Sequence, residues 1–473
     1  MSMPKFRVAI KPFWEIDRVT HMDIEATLEG IDIDEGEAVC FINEKTVNIP
    51  FCPITKELVV NDDQGEVLTT QNKKSGERSF VETRDWIVHR KTKGDIRYCY
   101  RVIPRQLPKD YTSSPYFDFR SEKGGVNGAG LTFLAVPKVE HMVDFELNWD
   151  LSQMPKGSQG VWSFGKGQVK KECQPSTIQF SYYAVGLVRS VEEGDFGLYW
   201  FSDPPFDVKK VARRTQTLFN YMSKFFKDRE GTYRIFVRRD PFEKSGGGTA
   251  AARSFMFGYS HATETTVESM QNLLAHEMAH NWPNIPDEPP GYATWYNEGT
   301  AEYYSVVLPY RAGVSTVEDI LKQIEKRAEK YYFNSMRSLS NKELGKLYWE
   351  DRRTQVVPYG RGFFYLANVD AQIKKATGNQ KSLDDVVLFI LDIARKGTKP
   401  TVDNWLEQVK SFIGEQAIID YENMISGQLI VPDPSAFGGA FKVTQKEIEL
   451  EDTKKKVEGF VWEINADVKT PIV

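Results

Sequence analysis

The sequence predicts a multidomain α+β protein: an N-terminal β-sandwich followed by an α/β domain whose second half is mostly helical. Three observations carry this expectation. The chain is 473 residues long, more than one ordinary core accommodates. Its first third is made of short alternating or aromatic-rich runs separated by Gly, Asp and Asn turns. Beyond residue 205 the apolar residues fall at helical spacing instead.

The strand runs are MDIEATLEG (22–30), FVETRDWIVHR (80–90), DIRYCYRVIP (95–104) and MVDFELNWD (142–150), and several such strands without a long helical period suggest a sandwich over residues 1–170. GKGQVKKECQPS (165–176) reads as the exit from it. A helix is expected in DVKKVARRTQTLFNYMSKFF (207–226), then a strand in GTYRIFVRRD (231–240). SGGGTAAARSFMFGYS (245–260) reads as a glycine turn leading into another strand. Helices are then expected at 265–281, 297–308, 316–332, 362–376, 382–396 and 401–413, closing a domain over 171–415. Residues 416–473, including KVEGFVWEINADV, return to short β-like runs.

Composition narrows the function. Hydrophobic residues make up 41% and charged residues 27%, the balance of a soluble globular chain. A net charge of −5 gives no general attraction to nucleic acid or acidic membranes, so neither is an expected partner. Cys40, Cys52, Cys99 and Cys173 are scattered without a C-x-x-C pair and read as reduced thiols. MSMPKFRVAIKPFWEIDRV lacks the apolar centre of a signal peptide, and no run is long and apolar enough to span a bilayer, so a cytoplasmic location is expected.

The chemistry concentrates in NLLAHEMAHNW (272–282), which holds two of only six histidines. On a helix, His276 and His280 project from one face a turn apart and can grip one zinc ion, while Glu277 can reach a water there. Leu273, Leu274, Met278 and Ala279 suit a buried helix, and Pro283 and Pro286 stop it. Two histidines alone are a common coincidence; a catalytic zinc needs a third protein ligand and one open position. TWYNEGTAEYY supplies a candidate in Glu298, 18 residues after His280, with Asn297 placed to cap the new helix. Glu302, one turn further on, is placed to accept the second ring N–H of a ligand histidine.

H-E-x-x-H followed by N-E-G-x-A-E resembles the thermolysin-like metallopeptidases whose third ligand is a glutamate. Within them the chain looks most like the glycyl aminopeptidase family, with the alanyl aminopeptidase and leukotriene hydrolase family as relatives by motif. HEMAHNWPNI, YYSVVLPYRAGVSTVEDILKQI and the block 356–387 carry this likeness, which is good over 245–415 and architectural before that. The resemblance implies a thermolysin-like catalytic domain, one Zn2+ held by His276, His280 and Glu298, Glu277 as general base, and a peptide or protein substrate. It further implies that Tyr359, in VPYGRG, donates to the oxyanion, and that the stretch holding Gly246, Gly247 and Gly248 is an edge strand pairing with an extended peptide.

The chain departs from its relatives at two places. Where those aminopeptidases place a glutamate for the substrate's free amine, Thr249, Ala250 and Ala251 stand here, leaving Glu264 or Asp287 as substitutes. Many glycyl aminopeptidases append a PDZ domain, and no complete PDZ domain is expected in the residues after position 418. Three functions therefore remain open: a zinc aminopeptidase, a zinc endopeptidase or other amide or epoxide hydrolase, and an inactive binding protein on the same fold. The oligomeric state is not legible.

Overall fold

The computed structural model describes residues 3–46, 49–50, 54–75, 81–106, 116–241, 246–260, 265–450 and 452–468. The chain divides into two compact units, Met1–Ala212 with Glu230–Met270, and Arg213–Arg229 with Gln271–Val473.

In the first unit, alternation sets the sandwich. Lys5–Glu15 buries Phe6, Val8 and Ile10 and turns its charged residues outward. It pairs antiparallel with Arg18–Glu29, Phe6 opposite Leu28 and Ile10 opposite Ile24, and parallel with Val143–Trp149. These strands join Ile96–Val102, Ile54–Asp62, Gly65–Val67 and Val169–Cys173 in a seven-stranded sheet. A second sheet contains Val136–Pro137, Ala38–Thr46, Val81–Val88 and Thr69–Ser75. Both contribute to one core, in which Phe6, Ile24, Val39, Trp86, Tyr98 and Phe145 are fully buried. Within the expected exit segment, Val169–Cys173 returns to the sheet beside Val143–Trp149 before helix α1 (Pro175–Gln179) begins. The same core takes in Trp162, Ile178 and Val185, so the packing runs past residue 170.

A further five-stranded sheet runs in the order Arg189–Glu193, Phe196–Trp200, Tyr233–Arg239, Ser254–Tyr259, Gly246–Ala251. Its central three strands are parallel, and the first two of them are joined through helix α2 (Val208–Phe225), as a parallel pair requires. Ser254–Tyr259 is buried throughout, the pattern of a strand covered on both faces. Gly246–Ala251 is the antiparallel outer strand, with Gly248 opposite Phe257. Gly247 has a φ of +134°, and a Cβ on Gly248 would lie 2.0 Å from Phe255 Cζ. Both positions thus require glycine for reasons internal to the sheet.

The second unit is mostly helical, with α3 (Val267–Ala279) from Gln271 onward, α4 (Thr294–Arg311), α5 (Val317–Tyr332), α6 (Asn341–Leu347), α7 (Arg352–Thr377), α8 (Leu383–Arg395), α9 (Val402–Ile413) and α10 (Gln416–Ser426). Capping boxes start four of them: Thr316 with Asp319, Ser340 with Glu343, Ser382 with Asp385 and Thr401 with Asn404. Gly378, in the left-handed conformation, ends α7. No described helix is long and apolar enough to cross a membrane.

Helix α7 starts ten residues before the expected 362, because Pro358, Gly360 and Gly362 are interior residues of it and not a break. The glycines allow contact instead. A Cβ on Gly299 of α4 would lie 2.7 Å from Gly362 Cα, and one on Gly362 would lie 2.1 Å from the Trp295 carbonyl oxygen. On its other side, a Cβ on Gly360 would meet Tyr331 Cβ of α5 at 2.5 Å. The C-terminal segment opens with the helical turns of α10 and then forms the hairpin Phe441–Glu449/Lys456–Ile464. Phe460 packs on Tyr332 at 5.1 Å and Trp462 stacks on Phe364 at 5.3 Å between ring centroids, backing α5 and α7.

Candidate metal centre

Helix α3 buries Leu274, Ala275, Met278 and Ala279, which fixes its roll and turns His276 and His280 to one side. The helix ends at Ala279, where Trp282 bonds back to the Ala279 carbonyl and stacks on Phe226 at 4.8 Å. The chain then returns to α4, whose start differs from expectation. Asn297 does not cap it: its amide bonds the backbone N–H and carbonyl of Ile285. Asp287 does this work across the loop, accepting from the N–H groups of Gly291, Ala293 and Thr294 and from the Thr294 hydroxyl at 2.6–3.1 Å. The early start places Glu298 one turn into the helix, facing the histidines.

Three donor atoms converge there. His276 Nε2 and His280 Nε2 lie 3.1 Å apart, and Glu298 Oε2 stands 3.4 Å from the first and 3.5 Å from the second. Tetrahedral zinc with bonds of about 2.0–2.1 Å requires ligand-to-ligand edges of about 3.3–3.4 Å. The triangle therefore has the size of one face of a zinc tetrahedron. Glu298 Oε2 is buried and has no hydrogen-bond partner among the described residues, as an atom reserved for a metal would be. No other cluster of three His, Cys, Asp or Glu donors is assembled among the described residues.

The electrostatics favour a cation at this point. Burial opposes charging His276, but Glu302, Glu298 and Glu277 outweigh it and push its pKa up to about 9. Burial also opposes charging Glu298, yet the two imidazoles hold its carboxyl well below the usual range. Glu277 is shifted the other way, since burial raises it against the pull of both histidines. A carboxylate with raised proton affinity suits a group that must take and release a proton.

Tyr359 enters from α7, its ring parallel to His276 at 5.8 Å and 11°. Burial and then Glu298 raise the phenol well above its ordinary value, so it stays a proton-bearing donor. Tyr348, just past α6, was not singled out in the sequence; its phenol meets Tyr359, and burial with the Glu298 charge pushes it up to about 12.

Glu302 stands behind His276, with Oε1 3.6 Å from Nδ1. Its other oxygen is paired with Arg327 of α5, which sequence reasoning missed. A signal was present: Ile320, Ile324, Ala328 and Tyr331 form the buried stripe of α5, and Arg327 sits on it. A charge on an apolar stripe requires a buried partner. Arg361 has a structural task, donating to Asn341 Oδ1 and to the carbonyls of Arg337 and Leu339 at 2.6–2.7 Å.

The remaining candidates separate. Gly246, Gly247 and Gly248 belong to the outer strand of the first unit. Thr249 Oγ1 accepts the Tyr116 N–H and the Thr249 carbonyl accepts the Tyr182 hydroxyl, so this stretch offers no carboxylate. Asp287 is committed to the loop, and Glu264 lies outside the described residues.

No family model matches the sequence, and no curated protein matches it. Solved structures do. An aminopeptidase N family protein from Idiomarina loihiensis is 12% identical with a TM-score of 0.71, over 95% of this chain and 81% of that one. An M1 zinc metallopeptidase variant from Deinococcus radiodurans, bound to the substrate Tyr-Ser-Ala, is 14% identical with a TM-score of 0.53, over 91% and 94%. Native yeast LTA4 hydrolase is 14% identical with a TM-score of 0.52, over 91% and 69%. The chain thus has the fold these proteins share, a multidomain α+β architecture with a sheet-rich N-terminal part and a helical C-terminal part.

Proposed function

We propose that this chain is a zinc-dependent peptidase, of the aminopeptidase kind suggested by its glycyl aminopeptidase-like motifs. The observation that carries the reading is the triangle of His276, His280 and Glu298 donors, sized for zinc, with Glu277 beside it. Proteins of this fold are named zinc metallopeptidases, and one of them holds a tripeptide substrate.

A zinc ion held by His276, His280 and Glu298 supplies Lewis acidity toward water and the peptide carbonyl. Glu277 takes the proton of the attacking water and passes it to the departing amine. Tyr359 donates its O–H to the oxygen that gains charge. Glu302 orients the His276 ring from behind. The resemblance assigns the outer strand Gly246–Ala251 to pairing with an extended peptide.

A second reading, endopeptidase action, is favoured by one observation. No carboxylate stands at Thr249–Ala251, and Asp287 is consumed by backbone bonds. A panel of peptides with free and N-acetylated termini, assayed with and without a chelator, tests both readings. Chelator-sensitive cleavage of free termini alone supports the aminopeptidase; equal cleavage of blocked peptides supports the endopeptidase. Chelator-insensitive cleavage, or none, rejects the metal mechanism.

A further inference from the structure

We infer that Arg327 is a positioning residue for the metal centre, acting through Glu302 on His276; this rests on the metal-site reading above. Arg327 comes from α5, a helix that supplies no ligand, and is buried at 7% exposure. Both terminal nitrogens of its guanidinium are engaged. One terminal nitrogen pairs with Glu302 Oε2 and donates to Ser305 Oγ at 3.0 Å. The other donates to the Gln323 carbonyl and side-chain oxygens, each at 3.0 Å. The plane lies over the Phe363 ring of α7 at 5.1 Å.

The consequence is a fixed carboxylate. With Oε2 engaged by Arg327, Oε1 is the oxygen left facing His276, 3.6 Å from Nδ1. Among the described residues, His276 Nδ1 is buried without a hydrogen-bond partner, and Glu302 is the acceptor within reach of its N–H. Holding the proton on Nδ1 leaves the Nε2 lone pair directed at Glu298 Oε2 and His280 Nε2, the geometry a metal requires.

Stability alone does not account for the arrangement. A buried ion pair is often no more stabilising than apolar residues of the same volume. What the pair provides is a single carboxylate orientation, which an unanchored glutamate with three rotatable bonds lacks.

Zinc affinity of the full-length chain, measured by competition with a chromogenic chelator, tests this without reference to hydrolysis. Arg327→Met should weaken zinc binding about 10- to 100-fold, the usual effect of losing an outer partner. Arg327→Lys should fall between, keeping the charge but losing the fork. In a Glu302→Gln background, Arg327→Met should add less than about twofold, because its route is already cut. Urea unfolding of the zinc-free variants separates affinity from folding. If Arg327→Met does not fold, Arg327→Lys with and without Glu302→Gln makes the same comparison. Unchanged affinity in a folded Arg327 variant overturns the inference, as does full additivity with Glu302→Gln. A chain that takes up no zinc overturns the metal reading and this inference together, whereas zinc binding without peptide turnover overturns only the peptidase.

Discussion

Gly299 of α4 and Gly362 of α7 meet backbone to backbone, so closely that a Cβ on Gly299 would lie 2.7 Å from Gly362 Cα. The contact brings the helix carrying Glu298 against the helix carrying Tyr359. Replacing Gly by Ala inside a helix ordinarily gains about 1 kcal/mol. Overpacking a tight contact costs about 1–3 kcal/mol, and here the obstacle is backbone that cannot rotate away. The second effect should win. Gly299→Ala and Gly362→Ala are each expected to lower unfolding free energy in urea, and an increase in either would show that the helices are not this close.

Glu277→Gln keeps the shape of the side chain and removes its basicity. Zinc content should remain at one per chain while peptide hydrolysis falls by about 10²- to 10⁴-fold. Tyr359→Phe removes one O–H donor and should lower kcat by about 10²- to 10³-fold with little change in KM. Near-normal turnover in either variant would remove that residue from the reaction.

Asp287→Ala strips three N–H groups and one hydroxyl of their acceptor at the start of α4. Loss of a cap costs about 0.5–2 kcal/mol, and the additional loop bonds should place this variant at or above the upper end. Because Glu298 follows one turn into the helix, zinc affinity should fall as well. Thermal unfolding and chelator competition measure the two effects, and Asp287→Asn should retain part of both.

Burial raises the Glu122 carboxyl to about 7. An acid whose folded pKa is raised loses stability as pH climbs from its unfolded value of about 4.5 to about 7, and is flat above. Glu122 should therefore lower the unfolding free energy between pH 4.5 and 7, by at most about 3 kcal/mol at about 1.4 kcal/mol per pKa unit. Glu122→Gln should flatten this slope and stabilise the chain at pH 8 relative to the parent. Parallel slopes for both proteins in urea titrations would dismiss the effect.

The parts of this structure that were legible in the sequence are those governed by local pattern. The apolar stripe of α5, the alternation of Lys5–Glu15 and the i, i+4 histidines of α3 each state their own geometry. The parts missed depend on distant partners. Asn297 sits where a cap belongs, but Asp287 takes the helix amides and Asn297 turns to Ile285. The expected start of α7 at 362 left Gly360 outside the helix, because the close contact it makes is with Tyr331 of α5. Arg327 sits on the buried stripe of α5, which calls for a partner, but only the fold shows that partner to be Glu302, 25 residues earlier in sequence.

The hairpin Phe441–Glu449/Lys456–Ile464 also bears on how the protein is made. All of the metal-site residues precede residue 360, yet the rings of Tyr332 and Phe364 are covered by Phe460 and Trp462. A chain cut short between residues 430 and 455 would carry every residue of the proposed metal site and still expose aromatic surface on α5 and α7. Such a fragment would be recognised by chaperones and proteases as unfinished, so truncation between these positions should reduce abundance before it affects the proposed metal site.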